Sequence, residues 1–391
     1  MQIKSILLKF EKLIDQIKDL RKKEFSRNEL KRLLFLMESK FKNYEQFPIG
    51  LNFLENFYLW LKNFENEEDR NIAIDLFWRI IFFSRDEMKY LTELLFREQI
   101  KKYLLLKIIR EKNLNNYDFK NAYNDHWEEY FEKSIFIALS DGAMIDFFRR
   151  ANRISNDQIV PYYKLHPDVQ TEEYTKETKR FFFLIEDFIG TGTTLFRDEC
   201  KENSEYWLDE NNLESNSVVN LPKKDFLLAG ALLRFIKYWD LKKINDYEII
   251  ICPYIITEFA IKRLKNMITY YGKNGRIPNY ENIIIKPAYI IPNESRVIMS
   301  VSKKKIRNWE DHTCDFEGIE ELCLKYYHKF IPDDHLLKGG DCKFGFGNRG
   351  IAVVRYNNTP NNSLYLLWHN DNNWNPVFRR NERYKEKVKK N

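Results

Sequence analysis

Glycine and proline are scarce in this chain, 13 and 11 among 391 residues, so long flexible linkers are not expected. Cysteine is scarcer still. Cys200, Cys252, Cys314, Cys323 and Cys342 are widely spaced, form no CxxC pair and are odd in number. That argues against a disulfide framework and fits reduced thiols. No apolar run approaches the roughly 20 residues of a bilayer span; the longest lies around Ile249–Ile256. Met1-Gln2-Ile3-Lys4 alternates apolar and polar residues and lacks the apolar core of a signal peptide. The expectation is a soluble, cytoplasmic chain with no membrane contact. An excess of one charge is missing too. The 64 Lys and Arg against 58 Asp and Glu leave +6, which neither identifies a nucleic-acid binder nor prevents basic residues from clustering on one face.

What the chain does have is apolar material, 44% of residues with 16% aromatic, enough for two or three cored units. Ile6, Leu7, Phe10, Leu13, Ile14, Ile17 and Leu20 recur at three- and four-residue steps and predict a long amphipathic helix. Ser26-Arg27-Asn28-Glu29 and Ser84-Arg85-Asp86-Glu87 have the form of capping boxes that open further helices. No strand stands out before residue 110. Beyond Asn113, short apolar runs alternate with helical patterns. The runs are Ser134–Leu139, Gln158–Tyr163, Phe181–Ile185, Glu248–Cys252 and Ile283–Ile285, with a helix from Phe259 to Ile268. Strands apolar throughout predict a parallel sheet covered on both faces. The expected domains are a helical one over 1–112, an α/β one over 113–378, and a basic tail over 379–391 with seven basic and two acidic side chains.

The third run leads into Glu186-Asp187-Phe188-Ile189-Gly190-Thr191-Gly192-Thr193-Thr194, with Leu195-Phe196 expected to open a helix. Small residues between a buried strand and a helix let several backbone N–H groups face one anion, and the helix dipole favours phosphate there. Thr191, Thr193 and Thr194 add hydroxyl donors. Carboxylates so close would repel the phosphate itself, so Glu186 and Asp187 suit the hydroxyls of a ribose whose 5′-phosphate occupies the loop. No Gly-Lys-Ser/Thr follows, which excludes a Walker A loop, and a dinucleotide fingerprint would need a third glycine.

The segment resembles the ribose-phosphate signature of type I phosphoribosyltransferases: a hydrophobic strand, two acids, three residues, then Thr-Gly-x-Thr. That resemblance implies a phosphoribosyltransferase-like parallel sheet with helices on both faces, here preceded by an all-helical N-terminal domain. It implies catalytic roles for Glu186, Asp187 and Asp141, and a phosphate loop of Gly190, Thr191, Gly192, Thr193 and Thr194. Ser140-Asp141-Gly142 is the matching pyrophosphate loop. A carboxylate at Asp141 opposes a diphosphate unless Mg²⁺ lies between them, so magnesium is expected to arrive with the ligand. Gln170–Lys179 matches the family's hood loop, where Lys176, Lys179 or Arg180 would add charge over the diphosphate or simply be solvated.

More narrowly, residues 84–380 resemble the phosphoribosyltransferase-like proteins of bacterial conflict systems, the PRTase-CE group. The likeness rests on Ser84, Asp141-Gly142 with Phe148-Arg149-Arg150, and Asn358-Thr359-Pro360-Asn361-Asn362 followed by Leu367-Trp368 and Trp374-Asn375-Pro376. It implies an effector or accessory role in anti-phage defence, sometimes beside a retron reverse transcriptase and its nucleic acid. Either the chain acts at ribose C1 of a nucleotide or RNA, or it is an inactive module that senses a nucleotide or docks a partner. An oligomer is compatible with both.

Arg149, Arg150, Arg349 and Asn361 are further candidate ligand contacts. Trp368 and Trp374 suit either base stacking or, more simply, the core. His312, Cys314, Cys323 and His328 have zinc-ligand chemistry but match no paired-knuckle spacing. No metal held by protein ligands alone is expected.

Overall fold

The computed structural model describes residues 2–47, 53–115, 117–140, 142–161, 180–198, 207, 213, 228–238, 246–298, 316–327, 343–370 and 374–380. The chain forms two compact units. One joins Met1–Arg85 to Glu294–Asn391, and the other is Asp86–Asn293. These limits cut across the expected 1–112, 113–378 and 379–391, because the last quarter of the chain folds with the first.

In the discontinuous unit, the N-terminal region is helical as expected. Its helices are Gln2–Arg21, Arg27–Ser39, Phe53–Leu61 and Glu67–Phe77. Ser26 and Glu29 make the reciprocal capping box that the sequence predicts. One three-residue strand interrupts the pattern: Ile81–Phe83 pairs in parallel with Val353–Arg355. A run that short carries no period, and its partner lies about 270 residues away. Phe378 completes an aromatic core, with its ring centroid 5.2 Å from those of Phe41 and Tyr44 and 5.9 Å from those of Phe53 and Phe82. Trp368 and Trp374 are both buried, so both take the core role. The Trp60 indole donates to Leu366 O at 2.7 Å, and that of Trp368 to Ser363 O at 2.8 Å. The start of the tail is anchored, with Tyr44 donating to Arg379 O and Arg380 to Thr359 O.

The continuous unit opens with α1 (Arg85–Leu94), a π-helical turn over Leu95–Lys101, α2 (Lys102–Glu111) and α3 (Phe119–Glu132). There follow β1 (Ser134–Ala138), α4 (Ile145–Ala151), β2 (Ile159–Val160) and β3 (Phe181–Ile189). The last elements are α5 (Ala231–Tyr238), β4 (Glu248–Thr257), α6 (Glu258–Lys273), β5 (Ile283–Ile285) and β6 (Tyr289–Ile291). The main sheet runs β2-β1-β3-β4-β5, with β6 also on β4, and every pair is parallel. Neither Pro253 in β4 nor Pro287 can donate to the ladder, and pairing along that edge of β4 breaks between β5 and β6.

Alternation sorts the strand side chains onto two faces. Ile135, Ile137, Phe182, Leu184, Ile249 and Ile251 pack with Phe235 of α5 and with Phe259, Leu264 and Met267 of α6. Phe136 and Phe183 face the other way, against Phe96, Tyr103, Phe131 and Phe148. Helices thus cover both faces of an apolar parallel sheet, as expected.

At the amino ends of the strands a polar knot closes the sheet. Arg180 grips Glu111 with two hydrogen bonds of 2.7 and 2.8 Å and pairs with Asp246 at 3.0 Å. Tyr130 donates to Glu111 at 2.7 Å, while Tyr103 and Lys107 meet Glu248. Arg180 therefore lies at the opposite end of β3 from the acidic pair and is not a charge over that pair.

Truncating Phe378 to Ala is expected to cost about 3–5 kcal/mol in chemical denaturation, as for other large buried aromatics. Burial pushes the Glu111 carboxyl up, but the bonds from Arg180 and Tyr130, the Arg180 charge and Lys107 outweigh it and hold the group at about 2. A depressed carboxyl contributes stability above its unfolded value and loses it as pH falls towards the folded one. Glu111→Gln is expected to lower the unfolding free energy by about 1–2 kcal/mol at pH 7. The gap from wild type should close between about pH 4.5 and pH 2, which thermal melts across that range will read.

Candidate functional site

β1 and β3 pair from Ser134–Phe181 to Ala138–Ile185, and one further bond joins Leu139 N–H to Ile185 O at 3.0 Å. There β1 turns away. β3 continues through Glu186, Asp187, Phe188 and Ile189 with β4 still alongside. The acidic pair therefore lies inside the strand, at its carboxyl end, where one neighbour has left. In the sheet order β2-β1-β3-β4-β5 this is the switch point between β1 and β3, the place where open α/β sheets form a ligand crevice.

The loop leaving β1 lies over the pair. Ser140 Oγ donates to Glu186 Oε1 at 2.6 Å, and Asp187 N–H donates to the same oxygen at 3.2 Å. The Asp187 carboxylate rests against Gly142, so close that a Cβ there would collide with it. Tyr254, buried in β4, donates to Ala143 O at 2.8 Å and pins the loop from below. Both acids are 7% exposed. Burial, and then the Asp187 charge, push the Glu186 carboxyl well above its ordinary value. Burial likewise raises the Tyr254 hydroxyl, with Asp187 and Glu186 adding to it.

The Gly190–Thr194 turn is built by drawing its carbonyls inward. Thr257, the N-cap of α6, donates to Gly190 O at 2.5 Å and accepts from Ala260 N–H at 3.1 Å. Arg263 Nη1 donates to Thr191 O at 3.0 Å and to Phe196 O at 3.2 Å. In a trans peptide C=O and N–H point opposite ways. Pulling in these two carbonyls therefore turns the N–H groups of Thr191 and Gly192 outward, and no described group accepts from either. The Thr191 and Thr193 hydroxyls lie 3.0 Å apart, and Thr194 is exposed. Gly192 has φ +75°, and a side chain there would meet Leu264. The expected helix at Leu195-Phe196 does not form. Their N–H groups bond back to Gly192 O, and Arg197–Asp198 is a short strand paired with Leu228–Ala229. No helix dipole faces the turn from Leu195.

Of the other sequence candidates, Asp141 and the expected hood loop Gln170–Lys179, including Lys176, lie outside the described residues, as do His312, Cys314 and His328. Arg149 and Arg150 occur on α4, and among the described residues Arg149 approaches Asp146, at 3.9 Å. Arg349 and Asn361 belong to the other unit, where Arg349 donates to Gly347 O and Asn361 O accepts from Phe346 N–H. No three His, Cys, Asp or Glu gather among the described residues in a way that would hold a metal.

Three site residues escaped the sequence reading: Tyr254, Thr257 and Arg263. Thr257-Glu258 ahead of an apolar-periodic run is a legible cap signal. Arg263 occupies the apolar stripe Phe259, Ala260, Leu264, Met267, Ile268, and a cation in such a stripe is itself a signal.

A raised carboxyl favours folding fully below its unfolded pKa and loses that contribution as pH rises through the folded value. Glu186→Gln, which keeps an acceptor for Ser140, is expected to melt higher than wild type at pH 7–8 and equally at pH 4. Melts at the two pH values check this.

A model of the PRTase-CE family matches residues 59–380 of this chain. No curated protein and no solved structure matches it. The match spans most of the chain, including the switch-point acids and the turn beside them, and the chain therefore belongs to the PRTase-CE family.

Proposed function

We propose that the α/β unit binds a phosphorylated ribose, 5-phosphoribosyl-1-diphosphate or a nucleotide, and acts at ribose C1. The observation that carries this reading is the buried acidic pair at the β1/β3 switch point, next to a turn whose N–H groups of Thr191 and Gly192 face outward. Thr191, Gly192, Thr193 and Thr194 hold the 5′-phosphate. Glu186 and Asp187 accept from the ribose hydroxyls, and Ser140 with Gly142 lines the leaving-group side. Departure of the C1 substituent leaves an oxocarbenium-like ribose, so the protein's contribution is to hold leaving and incoming groups in line. Mg²⁺ carried by a diphosphate would neutralise its charge, with Asp141 on the metal side. In a cell this activity belongs to an anti-phage effector acting on a nucleotide or RNA. Its partner would be another defence protein, such as a reverse transcriptase with its nucleic acid.

A second reading is favoured by the turn and short strand over Leu195–Asp198 where a helix start was expected, which removes one usual source of phosphate affinity. Here the unit is catalytically inactive and senses a nucleotide or docks a partner.

Calorimetry with 5-phosphoribosyl-1-diphosphate, with and without Mg²⁺, separates the two when run beside ribose 5-phosphate and a nucleoside monophosphate. The first reading expects a Kd near 1 μM, about −8 kcal/mol, that depends on Mg²⁺ and weakens at least about tenfold in Asp187→Asn. Binding of the nucleotide alone, unaffected by Mg²⁺, favours the second. Failure of every ligand removes the ribose reading.

A further inference from the structure

Arg263 is fully buried in the middle of α6, among Phe259, Ala260, Leu264 and Met267. Its Nη1 makes both bonds to the turn, to Thr191 O and Phe196 O. Its Nε and Nη2 have no partner among the described residues. No carboxylate among the described residues compensates it. Burial pushes it down to about 9, opposed among the described residues by Tyr271, with no contribution from Glu186 or Asp187. It is still charged at neutral pH. A buried cation without a counter-charge is costly, by several kcal/mol even after relaxation, and buried charges otherwise persist paired. This one has the turn, and no described acid, against it.

We propose that Arg263 is the positioning residue that makes the Gly190–Thr194 turn an anion site. It holds the carbonyls of Thr191 and Phe196 inward, leaving the Gly192 N–H outward, and it places a positive charge behind the turn. That charge takes the place of the helix dipole, which the backbone after Leu195 does not supply. The anion is a phosphate-class group, and only its attachment to a ribose rests on the proposed function.

The test titrates the full chain with inorganic phosphate and with ribose 5-phosphate, by calorimetry and by ligand-induced rise in melting temperature. It compares wild type, Arg263→Met and Arg263→Lys. The methionine variant keeps the length and loses the charge. It is expected to melt unliganded no lower than wild type, because an uncompensated charge has gone, and to bind phosphate at least about tenfold more weakly. The lysine variant, which restores the charge with fewer donors, should recover most of the affinity. A purely structural role predicts the reverse: a lower melting temperature with affinity retained. If the methionine variant does not fold, Arg263→Gln, which keeps a donor for Thr191 O without charge, makes the same comparison. Wild-type and variant affinities that agree within about twofold overturn the proposal while leaving the ribose reading intact. Phosphate binding that needs Arg263, with no gain from the ribose, upholds the proposal and sinks the ribose reading. No binding of either anion by wild type overturns it.

Discussion

Everything at the carboxyl edge of the sheet follows from one mismatch in length: β1 stops at Ala138 while β3 runs on to Ile189. Parallel strands need long crossover connections, and those from β1 and β3 leave the shared edge in the order that opens a crevice between them. Up to Ile185 the two strands satisfy each other. Beyond it the backbone of β3 has β4 on one side and the Ser140–Gly142 loop on the other. Glu186 and Asp187 occupy the first positions where a side chain can be buried at the sheet without being enclosed by a neighbouring strand. The burial that raises Glu186 is thus a product of topology.

The two ends of the sheet spend their charged groups differently. At the amino end, Glu111, Arg180, Asp246, Lys107 and Glu248 alternate in sign and answer one another. At the carboxyl end two acids sit together, and a cation with no carboxylate partner among the described residues lies behind the neighbouring turn. The first arrangement is what stability favours. The second is tolerated where a ligand supplies the missing partners, since strain and unmatched charge gather at working sites.

Much of this was legible in the residues. The runs at Ser134, Phe181, Glu248 and Ile283 are apolar enough to be read as buried strands; all four are strands, the first three buried and Ile283–Ile285 only half-buried. The acids at 186 and 187 stand out on so apolar a run, and the structure buries both at the carboxyl end of β3. Local pattern failed where the deciding contact is remote. Ile81–Phe83 becomes a strand only because Val353–Arg355 lies beside it. Leu195-Phe196 look like a helix start, yet their N–H groups close a turn on Gly192 whose carbonyls are taken by Thr257 and Arg263, more than 60 residues away. Arg263 was hidden for the opposite reason. Its period is that of a core position, and its charge matters only once the turn is packed above it.

The discontinuity of the first unit has a consequence for synthesis. At about 5–20 residues per second, the ribosome releases the helices of residues 2–77 long before their companions. The Asp86–Asn293 unit is whole when Asn293 emerges. The aromatic face that Phe378 covers must wait until about 300 further residues have followed the helix that ends at Phe77. During that interval Phe41, Phe53 and Phe82 lack the ring that completes their core. A nascent chain of this protein is therefore able to assemble its sheet before it can bury its own N-terminal helices, which stay open to chaperones and proteases until Phe378 has emerged.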